Sequence, residues 1–295
     1  MILFLLFSLV SWAAQADLNI FACEPEWAAL ATEIGSGHVE VYSATTALQD
    51  PHYIQARPSL IAKVRSADLV VCSGAQLEIG WLPALLGKGN NGKVQPGTPG
   101  FLEASKLVRR LEVPASVDRA QGDMHPDGNP HVQTNPHNIG LIAAALAERM
   151  AQLDPGNAGA YQGALANFMQ RWNKAITAWE ERAAPLKGKR VIPHHKSWAY
   201  LEDWLGLQEI GNLEPVPGIP PSASHLSDLL TRFGQGGADF IIRAPFQEEK
   251  PSQWLSERSG IPAVMLPLSP GGTGRATDLF HLFDDILDRL LRAKV

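Results

Sequence analysis

The chain has 295 residues and a formal net charge of −5, with its Lys and Arg residues scattered and no long basic cluster. That balance excludes the electrostatic footprint of a nucleic-acid binder, which needs a basic patch to displace counterions from phosphate. The length exceeds the size at which a single hydrophobic core keeps growing, so two domains are expected.

Residues 1–16 run from Met1-Ile2-Leu3-Phe4-Leu5-Leu6-Phe7 to Ala14-Gln15-Ala16, an apolar stretch closed by a small-x-small pattern. This reads as a secretory signal peptide, although no Lys or Arg precedes the apolar run. It is short of the about 20 apolar residues that a bilayer-spanning helix needs, and no other segment is long enough. The mature protein is therefore expected to be soluble and exported.

Beyond it, short apolar runs alternate with helical periodicity: a strand at 18–23, a helix at 25–34, a strand at 38–42, a helix at 58–66 and a strand at 68–72. Such alternation predicts βαβ units around a parallel sheet. Residues 87–100, rich in Gly and Asn, and 118–137, rich in Asp, Gly, Asn and Pro, read as surface loops. A helix is expected from Pro136 onward and a second over about 156–184. The second carries Tyr161, Leu165, Phe168, Trp172, Ile176 and Trp179 at spacings of three or four residues, one apolar stripe on a helix about 40 Å long. The stripe reads as core packing rather than a ligand platform.

After Lys187-Gly188-Lys189 the alternation restarts, with a strand at 191–192, helices at 197–205 and 222–234, a strand at 240–242, a helix at 251–259, a strand at 263–266 and a closing helix at 276–291. The expected fold is α/β, two doubly wound βα lobes joined by a long rigid helix. The lobes take residues 17–152 and 188–295, and the connecting helix takes 153–187. A stiff helical joint permits only small lobe movements, because wide closure uses a few loop residues with large φ/ψ changes.

Two cysteines, Cys23 and Cys72, each end an apolar β-like run. Neighbouring parallel strands would set these ends side by side, and both a disulfide and a pair of buried thiols fit. Zinc ligation by the pair fits less well, since structural zinc sites bring cysteines in closely spaced pairs.

Three of the nine histidines lie beside proline-bounded turns: His52 in Asp50-Pro51-His52, His131 in Gly128-Asn129-Pro130-His131, and His195 after Pro193-His194. Proline fixes its own φ and pushes the preceding residue into extended geometry, so each turn aims its ring with little entropy left to lose. Three neutral imidazoles suit Zn²⁺ better than Mg²⁺ or Ca²⁺, which prefer oxygen. In open α/β sheets ligands bind outside the carboxyl ends of the strands. His52 follows the strand at 38–42, His131 follows the apolar run 107–113 and His195 follows Val191-Ile192, which puts the metal in a cleft between lobes. His38, His137, His225 and His281 have no motif around them and read as ordinary surface or hydrogen-bonded histidines.

These motifs together resemble the zinc- and manganese-binding solute-binding proteins of bacterial ABC importers, over nearly all of the mature chain. The likeness is carried by Asp50-Pro51-His52-Tyr53 with Arg57-Pro58-Ser59, by Asn129-Pro130-His131 with Asn135-Pro136, and by His195-Lys196-Ser197-Trp198-Ala199-Tyr200. The resemblance implies two α/β lobes bridged by a rigid helix, a periplasmic location, and capture of a divalent metal for an ABC permease and its ATPase. It implies His52, His131 and His195 as ligands, no catalytic residues and a monomer. Members that favour manganese tend to have a carboxylate where His195 stands, so the third histidine points to zinc, with Mn²⁺ second.

Two departures stand out. The family's usual fourth ligand is an Asp near the end of the last strand, where this chain reads Leu266-Pro267-Leu268-Ser269. Water, Asp278 or Glu248 are the candidates to replace it. The family's His-rich acidic loop shrinks to Gly122-Asp123-Met124-His125-Pro126-Asp127, in which His125 reads as a transient recruiting ligand or a plain loop histidine. His194, beside His195, is expected to cap a helix or hydrogen-bond behind the site.

Other signals fall away. Gly87-Lys88-Gly89-Asn90-Asn91-Gly92-Lys93-Val94 nearly spells a phosphate-binding loop, but Val94 has no hydroxyl for Mg²⁺ and no strand precedes it. Gly271-Gly272-Thr273-Gly274 lacks the third glycine of a dinucleotide fingerprint. A zinc-dependent hydrolase is the main alternative, since three histidines and an open position can activate water. No H-E-x-x-H helix or G-x-S-x-G elbow supports it, and Glu248-Glu249 and Asp284-Asp285 read as solvated helix faces. A binding protein for a metal chelate such as haem or a siderophore would share the architecture but need a wide cleft.

Overall fold

The structure is a computed structural model that describes residues 17–116, 122, 124–234 and 236–293. The signal-peptide reading of residues 1–16 lies outside the described residues. Among these, no helix is long and apolar enough to cross a membrane.

In the N-terminal lobe β1 (Leu18–Ala22), β2 (Val39–Ser43), β3 (Leu69–Cys72) and β4 (Phe101–Glu103) form a parallel sheet in the order β2-β1-β3-β4. The C-terminal lobe repeats the order as β6-β5-β7-β8, built from β5 (Arg190–Pro193), β6 (Gln208–Glu209), β7 (Phe240–Arg243) and β8 (Ala263–Met265). In each sheet the chain winds first to one side of the opening strand and then to the other. The crevice where direction switches, at the carboxyl ends of β1 and β3 or β5 and β7, is where such sheets hold ligands.

The period-two alternation of the strands divides their side chains between two cores. Ile20, Ala22, Leu69 and Val71 join one core with α1 (Pro25–Gly35) and α4 (Pro136–Leu153). Phe21, Val70 and Cys72 join the other with α2 (Pro58–Ser66) and α3 (Leu82–Gly89). Prolines 25, 58 and 136 open α1, α2 and α4, where the missing N–H costs nothing. In the second lobe Val191, Phe240 and Ile242 face α6 (Ala199–Leu205) and α9 (Leu279–Arg292), while Ile192 and Ile241 face α7 (Ala223–Phe233) and α8 (Glu249–Ser259).

The long helix, α5 (Ala158–Ala183), has 26 residues and buries Tyr161, Phe168, Trp172, Ile176 and Trp179. These side chains belong to one apolar core that continues from the first sheet into the second. Trp172 stacks on Phe168 with centroids 5.1 Å apart and meets Phe280 of α9 edge-on at 4.8 Å. Its indole N–H donates to the Pro136 carbonyl at 2.8 Å, and that of Trp179 donates to Asp284 at 3.0 Å, so the polar ends of both rings are satisfied. The helix is thus fixed to both lobes by packing, which suits a joint that hardly bends.

Several local expectations need correction. No strand occupies 107–113: the fourth strand is β4, and residues 108–114 are irregular, with Glu112 in the left-handed region at φ 51°. The Gly- and Asn-rich stretch begins inside α3 and turns once more at Gly92–Val94. Strand β6 has two residues, too few to show a period. Asp285 is not solvated: it is 1% exposed, paired with Arg289 at 2.8 Å and accepting from Thr273 at 2.6 Å.

Cys23 and Cys72 form a disulfide, with Cα atoms 4.8 Å apart. The sheet register explains the pairing: Ala22 lies opposite Val71, and Cys23 N–H donates to the Val71 carbonyl, which leaves the next residues of β1 and β3 side by side.

Candidate metal centre

The Asp50-Pro51-His52 turn hangs beyond β2 and is pinned from behind, since Trp81 donates its indole N–H to the Pro51 carbonyl at 2.9 Å. Asp50 accepts from the His52 backbone N–H at 3.0 Å and from its Nδ1 at 2.7 Å. A carboxylate only accepts, so the proton sits on Nδ1 and the lone pair on Nε2. Burial alone would raise the Asp50 carboxyl, but the hydrogen bond and charge of His52 hold it below the ordinary value.

His131 sits just before a short turn, Val132–Thr134, that leads into α4. Asn129 aims it by accepting from the His131 backbone N–H at 3.0 Å. The same Asn129 donates to the Lys196 carbonyl at 2.7 Å, and its own carbonyl accepts from the Tyr200 hydroxyl at 2.9 Å. Two of the sequence motifs, Asn129-Pro130-His131 and the segment from His195 to Tyr200, are therefore bonded to each other across the lobes. The His131 ring is 1% exposed, and both of its ring nitrogens are buried without a hydrogen-bond partner among the described residues. Burial first, then the neighbouring His52, His195 and His125, hold its pKa well below 6.5, so the imidazole is neutral.

His195 follows β5 and bonds Glu214 through Nδ1 at 2.7 Å, again leaving Nε2 for the site. Glu214 is held in turn by the Gly218 N–H at 2.8 Å. Ring centroids of His52 lie 5.6 Å from His131 and 5.5 Å from His195, with 6.2 Å between the latter two. One ligand atom from each of the three lies within 4.8 Å of the others, a spread that one cation can draw together. All three predicted histidines are thus brought to one point, from both lobes.

The other candidates divide. Asp278 caps α9, accepting from the His281 N–H at 2.8 Å and from its Nδ1 at 2.7 Å, and neither it nor Glu248 joins the converging group. His194 does not cap a helix: α6 starts at Ala199 with no side-chain cap, and the His194 Nδ1 is buried without a partner among the described residues. His125, by contrast, is at the site, its Nε2 3.3 Å from that of His52. Glu214 escapes a reading of the sequence because it lies 19 residues from its histidine in an irregular segment. Asp50 stands out there only as part of a turn.

Behind His131, around the start of α1, lie three buried carboxyls: Glu24, Glu26 and Glu78. Burial pushes Glu26 up to about 8 and Glu78 up to about 7, and burial together with the charges of Glu78 and Glu26 raises Glu24. Glu24, Glu26, Gln133 and His131 share the walls of one small cavity.

The family model for the periplasmic component A of the zinc-uptake complex matches residues 20–293. The chain belongs to that family. It is similar to the high-affinity zinc uptake system protein ZnuA of Yersinia pestis, at 24% identity over 77% of this chain and 75% of that protein. It is also similar to the manganese ABC transporter substrate-binding lipoprotein PsaA of Streptococcus pneumoniae, at 22% identity over 85% of this chain and 80% of that one. Among solved structures, a crystal structure of ZnuA superposes with a TM-score of 0.77 at 22% identity, covering 93% of this chain and 99% of the other. The Mn-bound periplasmic metal binding protein of candidatus Liberibacter asiaticus gives 0.74 at 17% identity, with 93% and 98% covered. The two-lobe fold with its bridging helix is shared by these neighbours.

Proposed function

We propose that the protein captures a divalent metal ion, zinc, in the periplasm through His52, His131 and His195 and hands it to an ABC permease and its ATPase. Residues 1–16 act as the export signal, and the mature chain works as a monomer. The observation that carries the reading is His131: its neutral ring keeps a lone pair on one buried nitrogen that no described residue uses, and an ion between His52, His131 and His195 would take it up.

The donor chemistry supports zinc over manganese, since three imidazoles, two of them with outward hydrogen bonds to Asp50 and Glu214 that raise their basicity, form a nitrogen-rich site. The relatives' names include both metals, so the histidines rather than the family favour zinc. Rings converging within 6.2 Å on a largely buried point favour a bare ion over a chelate such as haem.

Zinc titration of the mature chain at neutral pH tests this. One tight site per chain is expected, lost in His131→Ala with the fold retained. Undiminished zinc binding by that variant, or hydrolytic turnover by the zinc form, overturns it.

A further inference from the structure

Residues 108–114 belong to neither sheet, yet they touch both lobes. The Asn129 N–H donates to the Leu111 carbonyl at 2.8 Å, which lays this segment along the turn that carries His131. The Leu111 N–H donates in turn to the Tyr200 hydroxyl at 3.1 Å, and Arg109 pairs with Asp203 at 2.9 Å, both partners in α6 of the C-terminal lobe.

At the centre of the segment is Glu112. Its Oε2 accepts from the side-chain amide of Asn129 at 2.9 Å, and its Oε1 accepts from Lys196 Nζ at 2.9 Å. Asn129 is the residue that aims His131, and Lys196 directly follows His195. The same Asn129 amide donates to the Lys196 carbonyl at 2.7 Å, so Glu112, Asn129 and Lys196 close a ring of hydrogen bonds across the lobes. Glu209 of β6 meets Lys196 Nζ at 3.3 Å and steadies the ammonium from the C-terminal side. Glu112 pays for its place with φ 51°, a conformation that glycine alone adopts freely and that other residues keep where surrounding contacts fix it.

We propose that Glu112 is a positioning residue for metal capture: its carboxylate ties the turn that aims His131 to the residue beside His195 and holds the rings of the two lobes in register. This rests on the three-histidine reading above. Glu112 acts through Asn129 and Lys196 rather than on the ion. Its two oxygens serve opposite lobes, so a side chain with one acceptor can satisfy only one of them.

The test measures zinc affinity by competition with a chelator, zinc dissociation by stopped flow and the urea midpoint, in mature wild type, Glu112→Gly, Glu112→Gln, Lys196→Met and the Glu112→Gln/Lys196→Met pair. Glu112→Gly, which suits the left-handed backbone, is expected to stay folded with one site per chain. It is expected to bind zinc on the order of fivefold more weakly, the scale of a partly exposed charged hydrogen-bond network, with most of the loss in faster dissociation. Glu112→Gln keeps one acceptor and is expected to lose less. In the double variant the losses are expected to be less than additive, because both substitutions break the same link. Unchanged zinc affinity in Glu112→Gly means that the carboxylate serves folding alone and overturns the assignment, whatever the midpoint does. Fully additive losses in the double variant overturn it too. Failure of the underlying reading shows differently, as tight zinc binding by His131→Ala or none by wild type.

Discussion

In the N-terminal lobe the carboxyl ends of β1 and β3 are cross-linked by Cys23–Cys72 and backed by three buried carboxyls, while the segments after β2 and β4 bring His52 and His131 to the site. In the C-terminal lobe the corresponding ends of β5 and β7 have the same parallel pairing but bring one ring to the site, His195, steadied by Glu214. Identical strand order therefore serves two purposes. On the proposed metal-capture reading, the first lobe holds two of the three ligands, His52 and His131, and the second supplies the third, His195.

The sharpest way to break this comparison is to remove one ring from each side. Structural zinc sites carry an apparent binding free energy of about 10–16 kcal/mol shared over four coordination positions, so one ligand is worth roughly a hundred- to a thousandfold in affinity. His131→Ala, which also leaves a buried cavity behind, is expected at the upper end of that range and His195→Ala at the lower. Equal losses by competition titration against a chelator of known affinity mean that the lobes contribute alike and the asymmetry is wrong.

The cross-link is a second point of difference. It closes a loop with a sequence separation of 49 residues, for which chain entropy gives about 4 kcal/mol of stabilisation. The Cys23→Ser/Cys72→Ser double variant is expected to lose stability of that order in denaturant unfolding. A midpoint unchanged from wild type removes the disulfide from the account of why the first lobe is stiff.

Smaller effects should come from the carboxylates that orient the rings. Asp50→Asn and Glu214→Gln leave every ligand present but weaken the outward hydrogen bond of His52 or His195. Each is expected to lower zinc affinity by about 10- to 100-fold. If Glu214→Gln costs more than Asp50→Asn, the C-terminal ring depends more on its single support, as the comparison requires. The reverse order counts against it.

Much of this is legible in the chain because it rests on local chemistry. Proline-bounded turns mark His52, His131 and His195, the three-and-four spacing from Tyr161 to Trp179 marks the bridging helix, and short apolar runs mark β1, β3, β5 and β7. The illegible parts depend on partners distant in sequence. Nothing near Glu214 announces that it will meet His195, and Asp285 reads as a surface acid until Thr273 and Arg289 enclose it. His125 carries the same proline-turn signal as the other three, in His125-Pro126-Asp127-Gly128. Its sequence neighbours leave it between a recruiting ligand and a plain loop residue, because the carbonyl of Ala75, 50 positions away, decides which of its nitrogens keeps the lone pair.

The faintest contrast between the lobes concerns pH. At the start of α1 the Glu26 carboxyl has its pKa pushed up by burial from 4.5 to about 8, while the corresponding turn after β5 carries His194, His195 and Lys196 instead of acids. Between those two pH values the folded chain holds a proton that the unfolded chain has released. The stability linked to Glu26 is therefore fully present below about pH 4.5 and lost as pH rises through about 8. His131 works in the opposite direction, since its burial as a neutral ring disfavours the folded state in acid. Subtracting a Glu26→Gln variant isolates the acid, because His131 is common to both proteins. Glu26→Gln is expected to match wild type near pH 4.5 and to exceed it at pH 9 by at least about 1.4 kcal/mol, the energy of a tenfold change in proton affinity. A difference that stays flat between those pH values in urea unfolding places the Glu26 proton elsewhere and leaves the two lobes alike in their response to pH.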